Sequence, residues 1–83
     1  MKKILHILRK DDRLAIETIS KQAMHDKVTV LMIQEATQLK MDGIEGIEVF
    51  VLGEDMRHPT RHQKIGYGEM IDMIFKADQV ITW

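Results

Sequence analysis

The run "KVTVLMI", residues 27–33, limits what this chain can fold into more than any other stretch. It is apolar at almost every position and rich in β-branched side chains, so neither of its faces suits water. A strand buried on both faces belongs to a parallel sheet covered by helices. Two other segments share its character: "KKILHIL" (2–8), bounded by the charged group "RKDDR", and "IEVFVLG" (47–53). Short apolar runs closed off by charge or glycine read as strands. "KIGY" (64–67) is a candidate short fourth strand, and "QVITW" (79–83) closes the sequence as another.

Helical patterns fall between these strands. In "DDRLAIETISKQAMH" (11–25), Ala15, Ile16, Ile19 and Ala23 share one helical face, while Asp12, Glu17, Ser20 and Lys21 lie off it. Asp11 or Asp12 can cap this helix, its carboxylate accepting a free N–H of the first turn. "QEATQLKM" (34–41) reads as a short helix stopped near "DGIEG", where Gly43 and Gly46 suit turns. "YGEMIDMIFK" (67–76) places Tyr67, Met70, Ile71 and Ile74 at i, i+3, i+4 and i+7, an amphipathic helix. Strands alternating with helices predict a three-layer α/β/α domain over residues 1–83, with right-handed crossovers. Its mainly parallel sheet should hold four or five strands.

Composition narrows the function classes. Hydrophobic residues make up 45% of the 83 positions and charged residues 30%, as in a folded protein. The formal net charge of −1 offers no global positive excess with which to displace counterions from a nucleic acid. The absence of cysteine excludes disulfides, thiolate metal sites, thiol nucleophiles and persulfide carriage on this chain. The apolar run near the start breaks at His6 and stops at Leu8, short of the roughly 7–15 residues of a secretory core or the roughly 20 of a membrane span. A cytoplasmic location without membrane contact is the expectation.

Ligands and partners of parallel sheets meet the loops at the carboxyl ends of the strands. Those are residues 9–12, 34–37 and 53–62. The third runs into "RHPTRHQK" (57–64), where five of eight side chains are Arg, Lys or His and the single proline sits among them. Arg57, His58, Arg61, His62 and Lys64 are therefore candidates to face an anion or an acidic partner through charge-assisted hydrogen bonds. A solvated polar turn explains the same residues. His58 and His62 also have the four-residue spacing of a zinc pair on a helix. Four N or S ligands are not at hand, however, and two arginines oppose a cation, so no metal is expected. Gln34, Glu35, Glu54, Asp55 and His6 are candidates for a polar cluster at the sheet edge. His6, flanked by Leu5 and Ile7, also fits a hydrogen-bonded core group, and capping explains Glu54 and Asp55 with fewer assumptions than acid–base work. No Ser-His-Asp arrangement or phosphate-binding glycine loop is present, so neither a catalytic residue nor a cofactor is expected. Met32, Met70 and Met73 read as core fillers. Trp83 can cap the core or anchor an interface, and so small a core favours the interface.

Read in order, the strand ends resemble the DsrH/TusB family of sulfur-relay subunits, within the DsrE/F/H-like superfamily. The features are "LHIL" (5–8), "LMIQE" with Gln34 and Glu35, "VLGEDM" with Glu54, Asp55 and Met56, Tyr67 opening the last helix, and the terminal Trp83. Ala36, Gly66 and the "RHPTRH" stretch depart from the family pattern, all on the edge that would meet a partner. The resemblance implies a cytoplasmic, non-catalytic subunit that assembles with DsrE-like and DsrF-like proteins. It also implies an indirect link to tRNA, through thiolation of the wobble uridine, or else to dissimilatory sulfur transfer. The competing expectation is a homo-oligomeric module that binds a small anion or an acidic protein.

Overall fold

The computed structural model describes residues 2–39, 41 and 44–83. Its main elements run β1 (Lys3–Leu8), α1 (Arg13–Gln22), β2 (Lys27–Met32), β3 (Ile47–Leu52), β4 (Gln63–Ile65), α2 (Tyr67–Lys76) and β5 (Gln79–Thr82). The five strands form one sheet in the order β4-β3-β2-β1-β5, and every pairing is parallel. The three most apolar segments thus become its centre, as burial on both faces requires.

Pleating divides their side chains between two cores. Leu8, Met32 and Val51 stand in one register row and face α1, which contributes Ala15 and Ile19. Leu5, Ile7 and Leu31 point the other way, towards Met70, Met73 and Ile74 of α2. The connection from β1 to β2 steps in one direction across the sheet, whereas that from β4 to β5 crosses its whole width in the other. Crossovers of one hand travelling in opposite directions must pass over opposite faces. That places α1 and α2 on either side of the sheet and yields the three layers.

Local chemistry sets the ends. The Asp12 carboxylate accepts the N–H groups of Leu14 and Ala15 at 3.0 and 3.2 Å and starts α1. At α2, the Glu69 carboxylate reaches back to the N–H of Gly66. Gly46 turns the chain into β3 at φ +82, where a Cβ would be strained. Gly43 and Lys40 lie outside the described residues. The helix expected over 34–41 is only a 3-10 turn, Gln34–Gln38. Leu39 and Met41 both pack against the α1-side core. Positions two apart share a side of an extended segment but not of a helix, so burying both ends the helix early.

Candidate functional site

The carboxyl ends of β2 and β3 are tied together by one residue from each. Gln34 leaves β2 at φ 52, in the left-handed region that non-glycine residues rarely adopt. Its N–H donates to the Asp55 carboxylate at 2.8 Å. Thr37, buried beneath, donates its hydroxyl to the Gln34 carbonyl at 2.8 Å and approaches the Asp55 carbonyl at 3.5 Å. Ala36 donates its N–H to the Arg9 carbonyl, and the Arg9 Nε donates to the Trp83 carbonyl at 2.8 Å. Four strand ends are thereby laced into one rim.

On this rim opens a cleft of about 390 Å³, lined by Gln34, Glu35, Gln38, Glu54, Asp55, Met56 and Arg57. The sheet-edge cluster expected from sequence is assembled here, with one exception. Asp55 also plays the capping part considered for it, although the turn it caps belongs to another strand. Glu35, Glu54 and Asp55 face a single guanidinium, so the cleft is acidic. A shallow hollow beside it is lined by Thr37, Gln38, Leu39, His58, Pro59, Thr60 and Arg61. The two hollows share Thr37's turn and differ in charge, giving the edge an acidic half and a basic half.

The exception is His6, which does not join the cluster. It lies two residues before the end of β1, with the parity of Ile4 and Leu8, and is fully buried on the α1 side. Trp83 Nε1 donates to His6 Nδ1 at 2.9 Å, and His6 Nε2 meets Gln22 Oε1 at 2.6 Å. Because an indole N–H can only donate, Nδ1 is the bare nitrogen and Nε2 carries the proton. Burial lowers the His6 pKa below its ordinary value of 6.5, partly opposed by the hydrogen bond to Gln22. The two rings lie nearly parallel and edge to edge, 18° apart with centroids separated by 6.1 Å, as this in-plane hydrogen bond requires. Trp83 is half-buried against the α1-side core, its indole N–H, backbone N–H and carbonyl all engaged within the chain.

The basic stretch is divided. Arg57 lines the acidic cleft, His58 and Arg61 line the neighbouring hollow, and Lys64 stands within β4, level with Val51. His62 is half-buried and its Nε2 accepts the Met41 N–H at 3.3 Å. Residues 57–62 are not helical, so the four-residue spacing of His58 and His62 does not put them on a common helical face. Among the described residues, no group of three or more His, Asp or Glu stands close enough to hold a metal ion. Chemically, the edge presents carboxylates, amides, guanidinium and imidazole. Its hydroxyl at Thr37 donates to the Gln34 backbone carbonyl. Sequence reading placed Thr37 and Arg9 on the strand-end loops without giving either a role, did not include Gln38 beside them, and missed Gln22 as the partner of His6. The first three lie on or beside the strand-end loops and were within its reach. The Gln22 contact, spanning helix to strand, has no local signal.

No family model matches the sequence, and no curated protein does. Among solved structures, the crystal structure of the YchN protein from E. coli superposes with a TM-score of 0.63, at 14% identity, with both chains covered in full. The two chains share a fold. Identity this low speaks for the backbone alone, and a three-layer backbone with a parallel sheet is what the alternation of strands and helices led us to expect. No helix among the described residues is long and apolar enough to cross a membrane.

Proposed function

We propose that this chain is a non-catalytic, DsrH/TusB-like subunit of a cytoplasmic sulfur-relay assembly. The observation that carries this reading is the bipolar rim. On this fold, the acidic cleft of Gln34, Glu35, Glu54 and Asp55 and the basic residues Arg57, His58 and Arg61 stand side by side at the carboxyl ends of the strands. Charges of both signs set on a rigid edge suit recognition of a complementary protein face, where they fix register and suppress wrong partners. The chain has no thiol and so accepts no sulfur itself. The persulfide stays on a cysteine of a DsrE-like partner, and this subunit, with a DsrF-like one, shapes the assembly around it. Its contribution to tRNA wobble-uridine thiolation, or to dissimilatory sulfur transfer, is then indirect.

The test is to purify the tagged chain from extract of its own cells and identify what accompanies it by mass spectrometry. Recovery of a cysteine-bearing DsrE-like protein is the expected outcome. The double substitution Arg57→Ala with Arg61→Ala should then reduce that recovery by tenfold or more, equivalent to about 1.4 kcal/mol of binding. A chain that comes down without any DsrE-like protein overturns the reading.

A further inference from the structure

The two faces of the sheet are covered unequally. On one, α1 and the segment carrying Leu39, Met41 and Ile44 close the core. On the other, α2 is the one helix among the described residues, and it lies over β1. The amino-terminal halves of β2 and β3 are left open there. Thr29, the one polar residue between Val28 and Ile33, is accordingly half-buried, whereas Val28 and Val30 on the opposite face are fully buried. A groove of about 260 Å³ results. Leu5, Thr29 and Phe50 make its floor, and Met73 and Ala77 of α2 form one wall. The Thr29 hydroxyl bonds to no described residue, so the apolar floor carries one open polar group.

Charge marks the amino end of this groove. Lys3 and Lys27 open β1 and β2 as register partners, so their side chains stand next to each other on the α2 face. Like charges set side by side on neighbouring strands repel and destabilise a sheet. The acids nearby give little relief. Glu48 reaches Lys27 at 3.7 Å, with both side chains more than half exposed. Asp72 is taken by Lys76 at 2.9 Å, and Asp26 and Asp78 accept the backbone N–H groups of Lys2 and Lys3. No carboxylate among the described residues pairs with the Lys3 ammonium. The groove as a whole is lined by three lysines and one glutamate, so it favours an anion.

We infer that the groove binds a small amphipathic monocarboxylate, its head between the Lys3 and Lys27 ammonium groups and its apolar body lying over Thr29 towards Phe50 and Met73. The head takes charge-assisted hydrogen bonds and removes the repulsion between the two lysines. The body removes apolar surface of Leu5, Phe50 and Met73 from water. Four residues of strand separate the Lys27 row from the row of Leu31 and Phe50. That is roughly 13 Å at ~3.3 Å per residue, the reach of a chain of about eight carbons. The volume falls below the roughly 300–1,000 Å³ of sites for drug-sized ligands, as such a molecule requires. An inorganic anion would leave the floor wet, and a neutral hydrocarbon would leave the lysine pair unrelieved. The groove lies at the amino edge of the sheet, opposite the rim assigned to a partner protein, so either site can fail without the other.

The purified chain, titrated with sodium octanoate and followed by nuclear magnetic resonance, tests this. The backbone amide signals of Leu5, Thr29, Phe50 and Met73 should shift saturably, with a Kd on the order of 1 mM or tighter. Those of Gln34 and Thr37 at the rim should stay fixed. Octylammonium, with the same body and the opposite charge, should not bind in the groove. The double substitution Lys3→Gln with Lys27→Gln should weaken octanoate by about tenfold and leave the response to neutral 1-octanol unchanged. Its thermal stability should not fall, because a repulsion is lost. The inference is overturned by the absence of a saturable shift up to about 10 mM octanoate, by equal affinity for octylammonium, or by an octanoate affinity that the double substitution does not move. Shifts confined to the carboxyl-edge rim overturn it as well.

Discussion

His6 and Gln34 show how much single positions carry. His6 is fully buried and neutral, with Trp83 and Gln22 each holding one ring nitrogen. Its pKa is lowered in the fold, so the unfolded chain takes up this proton first as pH falls. The stabilisation from His6 is therefore complete above its ordinary value of 6.5 and drains away below it, until the buried ring itself protonates and gives up the Trp83 bond. The prediction concerns His6→Gln, which cannot titrate. Its melting temperature should lie below that of the wild type at pH near 7.5, and the gap should narrow towards pH 5. A gap constant across that range would mean that the ring titrates alike folded and unfolded. Gln34 is strained at φ 52. Gln34→Gly should raise thermal stability, by up to about 1 kcal/mol, while depriving the cleft of an amide. Strain kept at the rim of a cleft is the pattern expected where geometry serves binding. That His6 leaves the edge was legible from its parity with Ile4 and Leu8. The strain at Gln34 was not, because backbone angle has no side-chain signature in glutamine.

At the scale of elements, the helices divide by how they are held. The helix α1 rests on its cap and on two fully buried residues, Ala15 and Ile19. Asp12→Ala should cost roughly 1 kcal/mol in chemical denaturation, and Ile19→Ala roughly 2–5 kcal/mol because the cavity lies within a packed core. Equal losses would show that the helix is anchored as much by its end as by its face. The helix α2 was legible to the residue, since its apolar positions repeat strongly. The exposure of Ile71 was not, because a periodicity count does not say which apolar positions a neighbour covers. The segment 34–41 misled in the other direction. Its composition suits a helix, yet the burial of both Leu39 and Met41 favours an extended chain, a tertiary demand that outweighs local preference.

At the scale of the molecule, three apolar strands and two amphipathic helices were enough to name a parallel three-layer fold. Strand order was not legible, because strands apolar on both faces are interchangeable neighbours as far as pattern goes. The candidate rim was legible as a set of loops, and its division into acidic and basic halves emerges only when the strands are set side by side. If those halves bind a partner as proposed, raising salt from about 0.05 to 0.5 M should weaken the complex severalfold, since exposed charges are screened over a Debye length of about 10 Å or less. Binding indifferent to salt would place the contact elsewhere. The sheet order has a kinetic consequence as well. β1 sits between β2 and β5, and β5 comes from the far end of the chain. Until β5 joins, β1 has a bare flank and the Trp83 indole that donates to His6 is missing from its side. Long-range closure of this kind slows folding, so an apolar central strand waits half clothed and in need of shelter.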